Sequence, residues 1–84
     1  MQKIKEIILD IHQMILNDRA IKKVSSESME VNALNGLDSY GLVLFVVELE
    51  NRLNLELDEI LMQIRQAKTV GDIVEVVSCK VNNE

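Results

Sequence analysis

A chain of 84 residues with no proline and only three glycines has few places where it is forced to turn. Proline and glycine are the strongest helix breakers, so their scarcity points to an all-α fold. The length suits one domain, taken as residues 1–84, whose single core leaves only a few kcal/mol of net stability. The usual supplements are missing. Cys79 is the only cysteine, so no intrachain disulfide can form, and no Cys/His cluster offers itself to zinc. Stability must come from helix packing.

Aliphatic spacing divides the chain into four helices. Ile4, Ile7, Ile8, Ile11, Met14 and Ile15 recur on one face of a 3.6-residue period, and this first helix ends near Asn17–Asp18. His12, beside Asp10 and Gln13, falls off that stripe and reads as a surface histidine. Residues 19–37 lack sustained periodicity and carry Ser25, Ser26, Ser28, Asn32, Asn35 and Gly36. They read as a long loop pinned by Val24, Met29, Val31 and Leu34, and loops of that length in small domains are often functional.

The second helix, from Asp38 to about Leu53, carries two apolar stripes. Leu42, Phe45, Val46, Leu49 and Leu53 form one; Tyr40, Val43, Leu44 and Val47 form another, about a third of a turn away. A domain of this size cannot easily bury both. Either the loop covers the second stripe or it is left as a docking surface, with Glu48 and Glu50 at its rim. A short third helix holds Ile60, Leu61 and Ile64 behind a cap at Asp58. Thr69-Val70-Gly71-Asp72 reads as a capping box opening a fourth helix with Val70, Ile73, Val74, Val77 and Val81 on one face. Its IVEVV run is rich in β-branched residues, but the cap and spacing favour helix.

The net charge is −5. From Glu27 to Glu59 the acids are Glu27, Glu30, Asp38, Glu48, Glu50, Glu56, Asp58 and Glu59, opposed only by Arg52. With one Tyr and one Phe as the aromatics, this argues against nucleic acid and for basic partners. Charges interleave with the aliphatics of MQKIKEIILDIHQMIL, which fits neither a signal peptide nor a membrane span. A monomeric cytoplasmic protein is the expectation.

Catalytic chemistry finds little to work with. His12 has no evident partner, and Cys79 reads as a small, partly buried side chain. The glycines lack phosphate-loop spacing, and Glu56, Asp58 and Glu59 lack the pattern of a calcium loop. The chain is expected not to be an enzyme. Ser39 stands apart: with Asp38 as N-cap, its hydroxyl falls in the first turn, where the helix dipole favours a phosphate.

The stretch GLDSYGLVLFVVELENRLNLELDE, followed by TVGDIVEVV, resembles the acyl carrier protein family over residues 34–77. The likeness lies in an Asp-Ser pair after a Gly-containing loop, an apolar helix holding a Glu, and a later Thr-Val-Gly-Asp helix start. It implies a small four-helix bundle with a short third helix. It makes Ser39 the acceptor of a covalent 4′-phosphopantetheine arm, and Asp38 the acid that helps position metal and serine while a phosphopantetheinyl transferase attaches it. The second helix would dock acyl-loading and acyl-processing enzymes. Leu42, Phe45, Val46, Ile60, Leu61 and Ile64 would line a cleft that shelters an apolar acyl chain. Tyr40, Gly41 and Leu44 stand where the family's fatty-acid carriers have Leu, Asp and Glu, which suggests a specialised carrier. An aminoacyl or D-alanyl carrier, and a helical interaction module without the arm, are the alternatives.

Overall fold

Ile8, Ile11 and Ile15 are buried along one side of α1 (Gln2–Asp18), and the aliphatics of three further helices close over them. These are α2 (Ser39–Leu53), α3 (Leu61–Gln66) and α4 (Val70–Asn82), with 3₁₀ turns at Ala33–Asn35 and Asp58–Ile60. The computed structural model describes residues 2–82. Among them there is no strand, only an isolated antiparallel bridge between Glu30 and Thr69. The radius of gyration is 11.6 Å, against about 12 Å for a folded chain of this length. The main contacts run from α1 to α2 and to α4, and from α3 to α4.

The first apolar stripe of α2 contributes Phe45, Val46 and Leu49 to the core. α3 and its preceding turn add Ile60 and Ile64, and α4 adds Val70, Ile73 and Val77. The β-branched IVEVV run is helical. Its capping box is formed: Thr69 Oγ1 accepts the Asp72 amide, and Asp72 Oδ2 accepts the amides of Lys68 and Thr69, all at 3.2 Å. Asp58 is not a cap as expected. It opens the 3₁₀ turn, and the residue before it, Leu57, makes no side-chain capping bond. Cys79 is exposed rather than partly buried, because it falls outside the Val70/Ile73/Val77 face of α4.

The segment between α1 and α2 is held differently from expectation. Met29 and Val31 pack on the core, but Val24 and Leu34 are exposed. The pins are polar. His12, expected at the surface, is fully buried one turn before the buried Leu16, on a second inward face of α1. Its Nε2 donates to the Asn35 carbonyl (2.9 Å), which leaves Nδ1 to accept from the Ser25 hydroxyl (2.7 Å). Gln13 reinforces the same stretch, donating to the Lys23 carbonyl (3.0 Å) and accepting the Ser25 amide (2.8 Å). The far side of the segment is tied to the α3–α4 connection through Val31 N–H to Lys68 O (2.9 Å) and to the start of α4 through Gly71 N–H to Glu27 O (2.8 Å).

Burial holds the His12 imidazole below its ordinary pKa of 6.5, partly offset by the Asn35 carbonyl. The unfolded chain therefore binds a proton that the folded chain refuses, and stability falls as pH drops from about 6.5 toward the folded-state value. Urea unfolding between pH 7 and pH 5.5 should show this loss in the wild type and a flatter dependence in His12→Gln. Equal slopes in the two proteins would exclude His12 as its source.

Candidate functional site

The start of α2 is assembled around Asp38. Its backbone is extended, and its Oδ1 accepts the Gly41 amide at 2.8 Å, an N-cap as the sequence predicts. The same carboxylate is gripped by a residue the sequence did not single out. Arg19 donates Nη1 to Oδ2 and Nη2 to Oδ1, both at 3.0 Å. Its guanidinium also lies 5.9 Å from the centroid of the Tyr40 ring. Arg19, together with the Gly41 amide, holds the Asp38 carboxyl below the usual carboxylate range. One side chain, from the residue that follows α1, thus pairs with Asp38 and lies over Tyr40, the two neighbours of Ser39.

Two glycines make the approach to this helix possible. Gly36 ends the 3₁₀ turn at φ 77°, a left-handed conformation that L side chains rarely adopt, and a Cβ there would crowd Ile15. Gly41 is buried in the first turn of α2, with the Gly36 carbonyl where its Cβ would be. The connecting segment therefore lies directly against the helix start. Ser39 is left on the open side: its residue is exposed, and its hydroxyl makes no hydrogen bond among the described residues.

Ser39 borders a groove of about 330 Å³ between α2 and α3, together with Leu42, Val43, Val46, Leu61 and Arg65. Of the six residues expected to line such a cleft, Leu42, Val46 and Leu61 do so. Phe45, Ile60 and Ile64 do not border this groove; they are buried in the core, to which Val46 also belongs. Val43, expected on the docking strip, borders the groove, and Arg65 was not anticipated. The one sequence signal for Arg65 is its position one turn after Leu61 on α3.

The second apolar stripe is not covered by the 19–37 segment. Tyr40 is 67 % exposed, Val43 58 %, Leu44 40 % and Val47 49 %. The acids beside it are engaged within the chain. Glu48 pairs with Arg52 (3.1 Å), which also reaches Asp10 on α1 (2.6 Å), and Glu50 accepts the Leu57 amide (2.8 Å).

Chemically, the site offers a free hydroxyl without an activating base. His12 is committed to Ser25 and Asn35, and the Asp38 carboxylate is occupied by Arg19 and the cap. No group of metal ligands occurs among the described residues, and no helix there is long and apolar enough to cross a membrane. Compared with models of protein families, curated proteins and solved structures, the chain matches none.

The close approach at Gly41 reverses an ordinary rule. Gly→Ala inside a helix normally stabilises by about 0.5–1 kcal/mol. Gly41→Ala should instead destabilise by roughly 1–3 kcal/mol, because the Gly36 carbonyl must move. Urea unfolding decides the sign, and a gain in stability would mean that the segment does not lie against the helix.

Proposed function

We propose that this chain is a carrier protein of the acyl carrier type, a cytoplasmic four-helix bundle that bears a 4′-phosphopantetheine arm on Ser39. The observation that carries this reading is the unbonded Ser39 hydroxyl, exposed in the first turn of α2 at the edge of a groove. A phosphate-linked group fits there. The free amides of a helix's first turn favour an anion, and the hydroxyl has open space on its solvent side. When bound, the arm supplies a terminal thiol that holds a carboxylic acid as a thioester.

The chain's own residues present and position. Asp38 caps the helix and sets the direction in which Ser39 leaves it. Arg19 holds Asp38 by two hydrogen bonds and lies against Tyr40 on the other side of Ser39. A hydroxyl without a base does not attack the pyrophosphate of coenzyme A unaided, so a transferase must supply base and Mg²⁺. Tyr40, Leu44 and Val47, with Val43 at the groove edge, are the apolar surface on which that transferase and the loading enzymes dock. Leu42, Val46 and Leu61 give the groove an apolar wall suited to an acyl chain, with burial worth about 0.8 kcal/mol per methylene. The cargo is a fatty, polyketide or other specialised acyl group. An aminoacyl cargo gains nothing from such a wall, because its charged amine would be desolvated.

Incubating the folded protein with coenzyme A, Mg²⁺ and a broad-specificity transferase should add the mass of one arm, and Ser39→Ala should add none while keeping its melting temperature. No gain by the wild type would leave a helical interaction module as the better reading. Val47→Glu should keep stability within about 0.5 kcal/mol of wild type and slow modification. An unchanged rate would remove Val47 from the docking surface.

A further inference from the structure

The carrier reading leaves one groove residue without a part. Arg65 lies in the last turn of α3 and borders the same groove as Ser39, yet its guanidinium makes no ion pair or hydrogen bond among the described residues. The rest of the lining is aliphatic, apart from Ser39 itself. An exposed arginine facing an apolar groove has no internal acceptor to satisfy its five donors.

The charges around Ser39 make this informative. The chain carries a net charge of −5, and the residue before Ser39 is an ionised aspartate. A new anion on Ser39 would meet that carboxylate. Arg19, the other guanidinium of the site, is already committed to Asp38 by two hydrogen bonds. Arg65 is the guanidinium that borders the Ser39 groove and remains open to an anion. Guanidinium and phosphate oxygens match as a two-pronged pair, a geometry that the ammonium of lysine does not reproduce.

We propose that Arg65 is an anion-binding residue for the phosphodiester attached to Ser39, drawing the first segment of the arm over the α2–α3 groove. Its role is positioning: it forms and breaks no bond. The inference rests on the carrier reading, and it adds that attachment itself tightens α3 against α2.

The test converts wild type, Arg65→Gln and Arg65→Lys to the arm-bearing form with coenzyme A, Mg²⁺ and transferase, leaving the terminal thiol unloaded. Intact mass first reports whether Ser39 accepts the arm, and failure in all three proteins overturns the carrier reading and this inference together. Given modification, the wild type should melt a few °C higher with the arm than without it, a gain that shrinks at high salt. Arg65→Gln should lose most of that gain and shift the ³¹P resonance of the arm. Arg65→Lys should restore only part of each. Equal melting gains and an unmoved ³¹P resonance in Arg65→Gln would overturn the proposal while leaving the carrier reading standing. Because the thiol carries no cargo, a cargo carboxylate is excluded as the source of the effect.

Discussion

His12 Nε2 donates to the Asn35 carbonyl from inside the protein, and the geometry of the candidate site follows from where that bond holds the chain. Asn35 closes a 3₁₀ turn whose own cap is Asn32, and its side chain bonds the Glu30 carbonyl (2.8 Å) and the Lys23 ammonium (2.9 Å). Gly36 then reverses direction at positive φ, Leu37 enters the core, and Asp38 starts α2. Each step limits the next. A buried polar group is costly unless bonded, so this network stabilises one arrangement and penalises alternatives that leave imidazole or amide unpaired. None of the buried side-chain polar atoms described here lacks a partner. A segment without regular structure is thereby made definite enough to set the position of Ser39.

The second constraint is geometric. α2 has more apolar surface than a core of this size covers, and burying an aliphatic side chain stabilises by about 1.5–3 kcal/mol. Val43, Leu44 and Val47 forgo roughly half of that gain, and the Tyr40 ring is left largely in solvent. The carrier reading gives the sacrifice a use, since a delivery protein needs a surface that partners can grip and release. It also distinguishes the two sides of the helix start: Gly41 and Arg19 close one side against the loop, and Ser39 faces the other. Apolar docking with little free acid on α2 would favour partners that bind by contact more than by charge.

What was legible in the sequence was local. Asp38 as cap, the Thr69/Asp72 box, the limits of α1 and α2 and the two stripes of α2 all depend on residues within one or two turns. Apart from the Asp58 cap and the burial of Cys79, what failed depended on distance along the chain. His12 lies off the aliphatic stripe, and only the return of Ser25 and Asn35 onto α1 buries it. Arg19 meets Asp38 across the whole connecting segment, and nothing in a run of serines and asparagines announces where its end will land. Val24 and Leu34 are apolar by composition, yet they fall on the outward side of turns whose direction polar bonds decide. Phe45, Ile60 and Ile64 share their stripes with groove residues, and stripe membership cannot separate a groove wall from the core behind it. Arg65 was missed for the opposite reason, since a charged residue at a helix end has an ordinary explanation in the dipole.

The most direct test of the central claim is fragmentation mass spectrometry on the Ser39-containing peptide of protein purified from the cells that make it. The account predicts a peptide heavier by one phosphopantetheine, which releases the arm on fragmentation and leaves Ser39 as the modified position. An unmodified Ser39 in protein from cells with an active transferase, or an arm found on another residue, would contradict it.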